Sequence, residues 1–422
     1  MQKLSGKNLL LVGFTLFSMF FGAGNLIFPP HLGAQAGSHL WAAFAGLAVS
    51  AIGLPIAGVV AVARAGGLEP LARRVHPAFA FVFTILVYLS IGPCLAIPRT
   101  ASTSFAMLAP LVGSSPRLQL GYSFLFFTAA FLVALHPEKL TDRLGRILCP
   151  CLILLICILF AGCLLHPPAA HYGAPSDLYA SLPAVQGILY GYQTMDTLAS
   201  LNFGAVIALN IRARGIAQES AVEQGAVRAG FLAGALLLAV YAMLGHAGAL
   251  TGAAVPSLST GADVLTALAG NLFGQAGLVL IAAIFVIACF NTCVGLIACV
   301  GQYFHSLLPR IPYPVLAAFF AGVSMLVSNL GLAAIIGLST PVLNALYPIA
   351  IVLILLSYLP GLENRPRIYP LCIFLTALQS IAAALPLGPL SVLANALPFA
   401  EVGFGWVLPA AAGLLLGFLI DR

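Results

Sequence analysis

Charged side chains are scarce in this sequence. Lys, Arg, Asp and Glu make up 7% of its 422 residues, and only eleven residues are acidic. Hydrophobic residues make up 61%, and the mean hydropathy is +1.09. Because soluble domains carry roughly 25% charged residues, this composition excludes a soluble enzyme and places most of the chain in a lipid bilayer.

Sequence patterns typical of metal-binding or catalytic sites are also missing. The nine cysteines lie within or at the edges of apolar segments, and the eight histidines show no metal-ligand spacing. Small apolar packing therefore explains the cysteines best. A membrane enzyme would need a catalytic pair or a metal set within the bilayer, and none is visible. We expect a protein that is not an enzyme and that has no cofactor.

Long apolar windows divide the chain into membrane spans. A transmembrane helix needs about 20 apolar residues, and the sequence predicts an all-α polytopic membrane protein with about twelve such helices. The windows are residues 8–30, 40–63, 78–108, 118–135, 147–166, 184–209, 226–249, 273–307, 313–331, 333–357, 368–388 and 402–420.

The basic residues predict the orientation of these spans. If the connections alternate between the two sides, every Lys and Arg except Arg117 and Arg99, which we place near the outer end of the third span, falls on the side of the N-terminus. Positive residues concentrate on the cytoplasmic side of membrane proteins, so we expect both termini to be cytoplasmic. Lys3, Lys139 and Arg422 contribute to this asymmetry. The net charge of +6 then indicates contact with anionic lipid rather than with nucleic acid.

One acidic residue, Asp196, lies deep in the sixth window. A carboxylate at the centre of a membrane costs about 2.5–3.5 kcal/mol on insertion scales, and intramembrane acids usually face a substrate or ion pathway. A ligand contact is one interpretation. The alternative is a structural carboxylate that caps a broken helix or pairs with a buried donor.

The first window is interrupted by Gly22, Gly24 and Asn25, with two prolines following. These residues weaken a helix in lipid, where each freed backbone group still needs a partner. Such a break is tolerated where it lines a polar cavity, and the amides of the second half-helix would then hold an anion such as a carboxylate. Close helix packing through small residues is the alternative, although it does not explain Asn25.

The sequence predicts a break around Gly22–Asn25 in the first window and around Met195–Ala199 in the sixth, the positions where two inverted five-helix repeats would place equivalent elements. Broken helices at matching positions of two halves mark the central site of a transporter. We therefore expect one transmembrane domain over residues 1–422. Its parts are a first repeat over 1–166, a second over 184–357 and two additional helices over 368–420.

The eighth window carries a candidate cation site. Ala288, Asn291 and Thr292 are spaced to share one helix face, where one carbonyl and two side-chain oxygens could meet a hard cation such as Na⁺. The alternative is a threonine that bonds to its own helix.

Several longer motifs resemble the bacterial branched-chain amino acid:cation symporter family, the LIVCS or BrnQ-type carriers of the amino acid–polyamine–organocation superfamily. The motifs are Phe21–Pro30, Ile91–Pro93, Ile97–Thr100, Thr194–Leu198 and Val327–Leu332. Ala106 and Gln302 depart from the pattern, because relatives carry an acid at both positions.

The resemblance implies Na⁺-driven uptake of leucine, isoleucine and valine across the bacterial inner membrane through a LeuT-like fold. It also implies a central substrate site and a Na⁺ site between the first and eighth helices. The implied substrate residues are Gly22, Ala23, Gly24, Asn25, Thr194, Met195, Asp196 and Thr197, and the implied cation residues are Ser18, Phe21, Ala288, Asn291 and Thr292. Coupling to protons, another small neutral amino acid as substrate, and a channel or facilitator are the alternatives.

Overall fold

The computed structural model describes residues 4–137, 141–258, 260–362 and 365–421, and this part of the chain is helical without any strand. The prediction of an all-helical protein is therefore confirmed. Lys3, Lys139 and Arg422, which entered the prediction of orientation, lie outside the described residues.

The first half of the chain forms eleven α-helices. Two π-helical turns, Val49–Gly53 and Ser90–Cys94, join α3 to α4 and α6 to α7, and a third, Thr141–Leu148, leads into α9. The helices are α1 (Gly6–Phe20), α2 (Ala23–Ala36), α3 (Leu40–Ala48), α4 (Leu54–Ala65), α5 (Leu68–Arg73), α6 (Pro77–Leu89), α7 (Ala96–Val112), α8 (Pro116–Ala134), α9 (Cys149–Leu165), α10 (Asp177–Ala180) and α11 (Pro183–Tyr192).

The second half continues the bundle from the far side of the second break. Its helices are α12 (Asp196–Arg212), α13 (Glu219–Ala254), α14 (Gly261–Phe273), α15 (Gln275–Leu307), α16 (Tyr313–Ser328), α17 (Leu332–Leu356), α18 (Ile368–Ala384), α19 (Pro389–Asn395) and α20 (Val407–Ile420). The prediction missed α14, because its 13 residues are too few to span a bilayer.

Both predicted breaks are present, although each lies a little earlier than expected. Phe21 and Gly22 separate α1 from α2, and residues 193–195 separate α11 from α12, which meet at 49°. The predicted breaks over Gly22–Asn25 and Met195–Ala199 were too long, because most of these residues form the first turn of the second half-helix. The first amides of a helix have no intrahelical acceptor, so these residues still offer free N–H groups.

The number of spans stays a prediction. Within the described residues, seven helical stretches are long and apolar enough to cross a membrane, or nine if each of two bent pairs counts as one span, and three further apolar helices are shorter. The second bent pair is α18 and α19, at 110°. The eleventh predicted window therefore ends at Ala384, where the chain turns.

Glycines bring the broken first span against its neighbours. A Cβ atom at Gly33 in α2 would lie 2.0 Å from the carbonyl oxygen of Gly245 in α13, and a Cβ at Gly261 would lie 1.8 Å from that of Ile27. Backbones at such distances exclude any larger residue, which is how small residues let membrane helices pack closely. Helices α13 and α14 thus pack directly against α2.

Candidate functional site

A hydrogen-bonded group joins the two broken spans. Nδ2 of Asn25 donates to Oδ2 of Asp196 over 2.5 Å, and the Tyr241 hydroxyl donates to the same oxygen over 3.2 Å. Asn25 Nδ2 also donates to the Tyr241 hydroxyl, and Asn25 Oδ1 accepts from the backbone N–H of Gly22 over 3.1 Å. Asn25, from the first break, therefore meets Asp196, from the second.

The local backbone explains the position of Asp196. Met195 has φ of 67°, in the left-handed region, and this residue redirects the chain so that Asp196 begins α12. A carboxylate in the first turn of a helix is stabilised by the helix dipole. Asp196 is only 2% exposed. The pairing with buried donors expected of a structural carboxylate is thus present, whereas the side chain of the N-cap residue Met195 makes no capping bond at the start of α12, and the pairing coexists with a position at the centre of the bundle.

Arg99 is a central residue that the sequence reasoning placed wrongly. It was assigned near the outer end of the third span, yet its guanidinium donates to the carbonyl oxygens of Gln193 (3.0 Å) and Thr194 (3.4 Å). The third span is kinked at Gly92 and Pro93, and the kink turns α7 so that Arg99 reaches the second break. A buried arginine inside a span is itself a signal of a functional site.

Gly24 lies where the two breaks and Arg99 come together. A Cβ atom there would stand 2.8 Å from Nη2 of Arg99 and 3.2 Å from Cα of Thr194. Gly22 is equally confined, since its Cβ would stand 2.6 Å from Oγ1 of Thr292. Glycine is therefore required at both positions by close contact.

A small cavity of about 30 Å³ lies between the breaks. Of the predicted substrate residues, Gly22, Ala23, Gly24, Asn25, Thr194, Met195 and Asp196 line it. Apolar lining residues that the sequence reasoning did not name are Met19, Phe20, Ile91, Ala96, Ala199, Phe203 and Leu296. The cavity thus combines polar groups from two broken helices with an apolar wall, and a ligand larger than a few water molecules requires it to expand.

Thr197 does not belong to this lining. Its hydroxyl donates to the carbonyl oxygen of Ser50 over 3.2 Å, and the residue is fully buried. Thr197 therefore does not line the cavity, and the predicted substrate contact at this residue stays a prediction. Thr197 follows Asp196 by one residue, a rotation of about 100° around the helix, so its side chain points towards the second span, where it ties α12 to the π-helical turn after α3.

The candidate cation residues lie between α1 and α15. Oγ1 of Thr292 donates to the carbonyl oxygen of Ser18 over 3.5 Å, which is a bond to the neighbouring helix and not to its own. Asn291 is fully buried, and within the described residues neither atom of its side-chain amide has a hydrogen-bond partner. Ala288 is buried on the same helix, while the Phe21 ring stacks on Phe17 at 5.1 Å.

The chain matches the family described as "Branched-chain amino acid transport protein" over residues 5–422. It is 39% identical to the branched-chain amino acid permease BraB of Bacillus subtilis, over 98% of this chain and 95% of that one. It is 40% identical to the branched-chain amino acid transport system 2 carrier protein of Pseudomonas aeruginosa, over 100% and 98%.

Solved structures resemble the fold. A nucleobase-cation-symport-1 family transporter with bromovinylhydantoin bound gives a TM-score of 0.60 at 14% identity, over 97% of this chain and 91% of that one. MhsT in complex with L-phenylalanine gives 0.58 at 15% identity, over the whole of both chains. The prediction of a LeuT-like fold is thereby confirmed. The chain is a non-enzymatic membrane transport protein and belongs to the branched-chain amino acid transport protein family.

Proposed function

We propose that this protein is a secondary symporter that imports leucine, isoleucine and valine, driven by the Na⁺ gradient across a bacterial inner membrane, with both termini in the cytoplasm. The observation that carries the proposal is the bond between Asn25 and Asp196, which links the two broken spans at one buried cavity. Opening and closing of the two half-helices around that point would give alternating access.

The cavity offers complementary groups to the two charged ends of an amino acid. The free amides at the start of α2 receive the carboxylate, because a helix N-terminus carries about half a positive charge. The carbonyls of Gln193 and Thr194 already accept from Arg99. Asp196 also accepts from Asn25 and Tyr241, but it is the one acidic residue among the described residues that line the cavity, and its charge makes it the proposed acceptor for the ammonium group, either directly or by fixing the second break around it.

The apolar wall supports a branched aliphatic side chain. Ile91, Phe203 and Leu296 face the same cavity as the polar groups. Burial of each methylene group contributes about 0.8 kcal/mol, so the three extra carbons of leucine relative to alanine contribute about 2.4 kcal/mol. Relatives in the family are named for branched-chain amino acids, which agrees with this preference.

Sodium coupling is proposed for the site between α1 and α15. The carbonyl oxygens of Ser18, Phe21 and Ala288, together with Asn291 and Thr292, form an oxygen-rich donor set of the kind that hard cations prefer. The amide oxygen of Asn291, which has no hydrogen-bond partner among the described residues, supports this assignment, since a buried polar atom without a partner is costly and a bound cation would supply one. Na⁺ would couple transport by stabilising α1 against α15.

Uptake of labelled leucine into proteoliposomes tests the proposal. An inward Na⁺ gradient should raise accumulation above equilibrium, while a K⁺ gradient of equal size should not. Leucine accumulation driven by a proton gradient alone would show that the coupling ion is H⁺ and not Na⁺. Leucine that equilibrates across the membrane to the same extent with and without any cation gradient would indicate a facilitator. Transport of only other neutral amino acids would overturn the assignment of substrate.

A further inference from the structure

A second, larger cavity lies at the end of the bundle opposite the N-terminus. Its volume is about 320 Å³, against about 30 Å³ for the central cavity. It is partly open and is bordered by α11, α17 and α18 and by the connection that leads to α20. Small-molecule sites in proteins occupy roughly 300–1,000 Å³, so this outer cavity has the size of a binding site.

The outer cavity is lined by neutral hydrogen-bonding groups. Four carboxamide residues line it, Gln193, Asn344, Gln379 and Asn395, and none of the described residues in its lining is charged. A carboxamide both donates and accepts hydrogen bonds. Such a lining can hydrogen-bond to both the carboxylate and the ammonium group of a zwitterion, and it gives no advantage to a ligand with net charge.

Trp406 supplies a polar group that lacks a partner. The residue is 8% exposed and lines the outer cavity, and its indole N–H has no acceptor within the described residues. A buried donor without an acceptor carries a desolvation penalty of about 1–3 kcal/mol. An acceptor group on a ligand in the outer cavity would remove that penalty.

The chain after α18 forms one wall of the outer cavity. Gln379 donates to the carbonyl oxygen of Ala394 over 3.3 Å, which fastens α19 beside α18. Gly405 then passes so close to Gln379 that a Cβ atom would lie 2.7 Å from its Nε2, and a Cβ at Gly403 would lie 2.6 Å from Leu189 of α11. The connection from α19 to α20 is therefore packed against α18 and α11.

Gln193 connects the two cavities. Its side chain lines the outer cavity, and its carbonyl oxygen accepts from Nη1 of Arg99, which lines the central one. Gln193 also lies in the break between α11 and α12. A ligand that hydrogen-bonds to its side chain would thus act on the backbone that positions both Arg99 and Thr194.

We propose that the outer cavity is a second binding site for a zwitterionic amino acid of the transported class, coupled to the central site through Gln193. This inference rests on the proposed function, because it takes the solute to be the same. The outer cavity would hold the amino acid by its carboxamides and Trp406, and the central cavity would hold it by Asp196 and the broken helices.

Tryptophan fluorescence can observe the outer cavity directly. The sequence has two tryptophans, and Trp41 is 52% exposed on α3. In purified Trp41→Phe protein, Trp406 is the single emitter, and leucine should shift or quench its emission. The same titration in a central-site variant that has lost uptake, Asp196→Ala or Ala199→Phe, should retain the response.

Variants of the lining identify the responding site. Gln379→Leu, or the exposed Asn344→Ala if the former does not fold, should raise the leucine concentration for half-maximal response by about tenfold, as expected for one lost hydrogen bond. Gln224→Leu, an exposed position at the opposite end of the bundle, is the matched control and should leave it unchanged.

Three outcomes contradict the inference in distinguishable ways. A response that vanishes with central-site binding would mean that Trp406 only senses the central site. If leucine does not change the Trp406 emission of protein that transports labelled leucine, the outer cavity is not a leucine site, and the proposed function still stands. Absence of both leucine uptake and leucine binding in the parent protein would overturn the proposed function and the outer site together.

Discussion

Replacement of Asp196 by Asn tests whether the buried charge serves the substrate. The carboxylate accepts from Asn25 and Tyr241, and an Asn side chain of the same shape keeps one carbonyl oxygen for these donors. The folded protein should therefore persist. The lost interaction is a hydrogen bond between a carboxylate and the substrate ammonium, and hydrogen bonds to charged groups contribute about 1.5–3 kcal/mol.

That free energy corresponds to about a 10- to 150-fold loss of leucine affinity. Asp196→Glu should fall between the variant and the parent protein, because its longer side chain keeps the charge but displaces it. The assay is equilibrium binding and initial uptake of labelled leucine by purified protein, with monodispersity as the measure of folding. Asp177→Asn, the same change at the start of α10, is the matched control.

The reasoning would be refuted by an Asp196→Asn protein with parental affinity and parental rate. Asp and Asn cap helices about equally well, so a purely structural carboxylate would tolerate this change. Asp196 would then be withdrawn from the substrate site, and its bonds to Asn25 and Tyr241 would be explained by helix packing alone.

Three further predictions follow from the same contacts. Thr292→Val removes the hydroxyl next to Ser18 and should raise the Na⁺ concentration for half-maximal uptake by about tenfold; Thr340→Val, whose hydroxyl bonds to its own helix, should not. Gly24→Ala places a methyl group 2.8 Å from Arg99 and should reduce leucine uptake at least about tenfold. The control Gly322→Ala, whose added Cβ has no heavy atom within 4 Å, should leave uptake unchanged. Equal uptake by the two variants would contradict the close contact. Leucine should compete for uptake about 50-fold better than alanine, and equal competition would show that the apolar wall is not used.

The broken helices could be predicted because their cause is local. Glycines and Asn25 in an apolar window disfavour a continuous helix, and Asp196 in a membrane segment demands a partner. Sequence alone could not pair Asn25 with Asp196, since 171 positions separate them. It did, however, place both residues in the same kind of interruption, in matching spans.

Arg99 and Thr197 show which side-chain directions sequence reasoning could not supply. The direction of Arg99 depends on a kink at Gly92, whose ψ is −127°, and hydropathy carries no information on the angle of such a kink. Thr197 shares a motif with Asp196, yet at about 100° per residue around a helix neighbouring side chains point in different directions. Membership of a motif therefore did not determine which residue faces the cavity.

The outer cavity escaped prediction for a different reason. The twelfth window placed residues 402–406 inside a span, while α20 begins only at Val407. The preceding connection packs against α18 and α11, which are distant in sequence. Cavities formed by a connection and three helices depend on tertiary packing, and apolar periodicity reports only which residues are buried.

Reciprocal flux tests the central claim of Na⁺–leucine symport most directly. The proteoliposomes contain equal Na⁺ on both sides, and the membrane potential is clamped. An inward leucine gradient should then drive net entry of radioactive Na⁺, although Na⁺ has no gradient of its own, since coupling between two ligands is reciprocal. Thr292→Val should weaken this entry. Leucine entry that carries no Na⁺ with it would contradict the account.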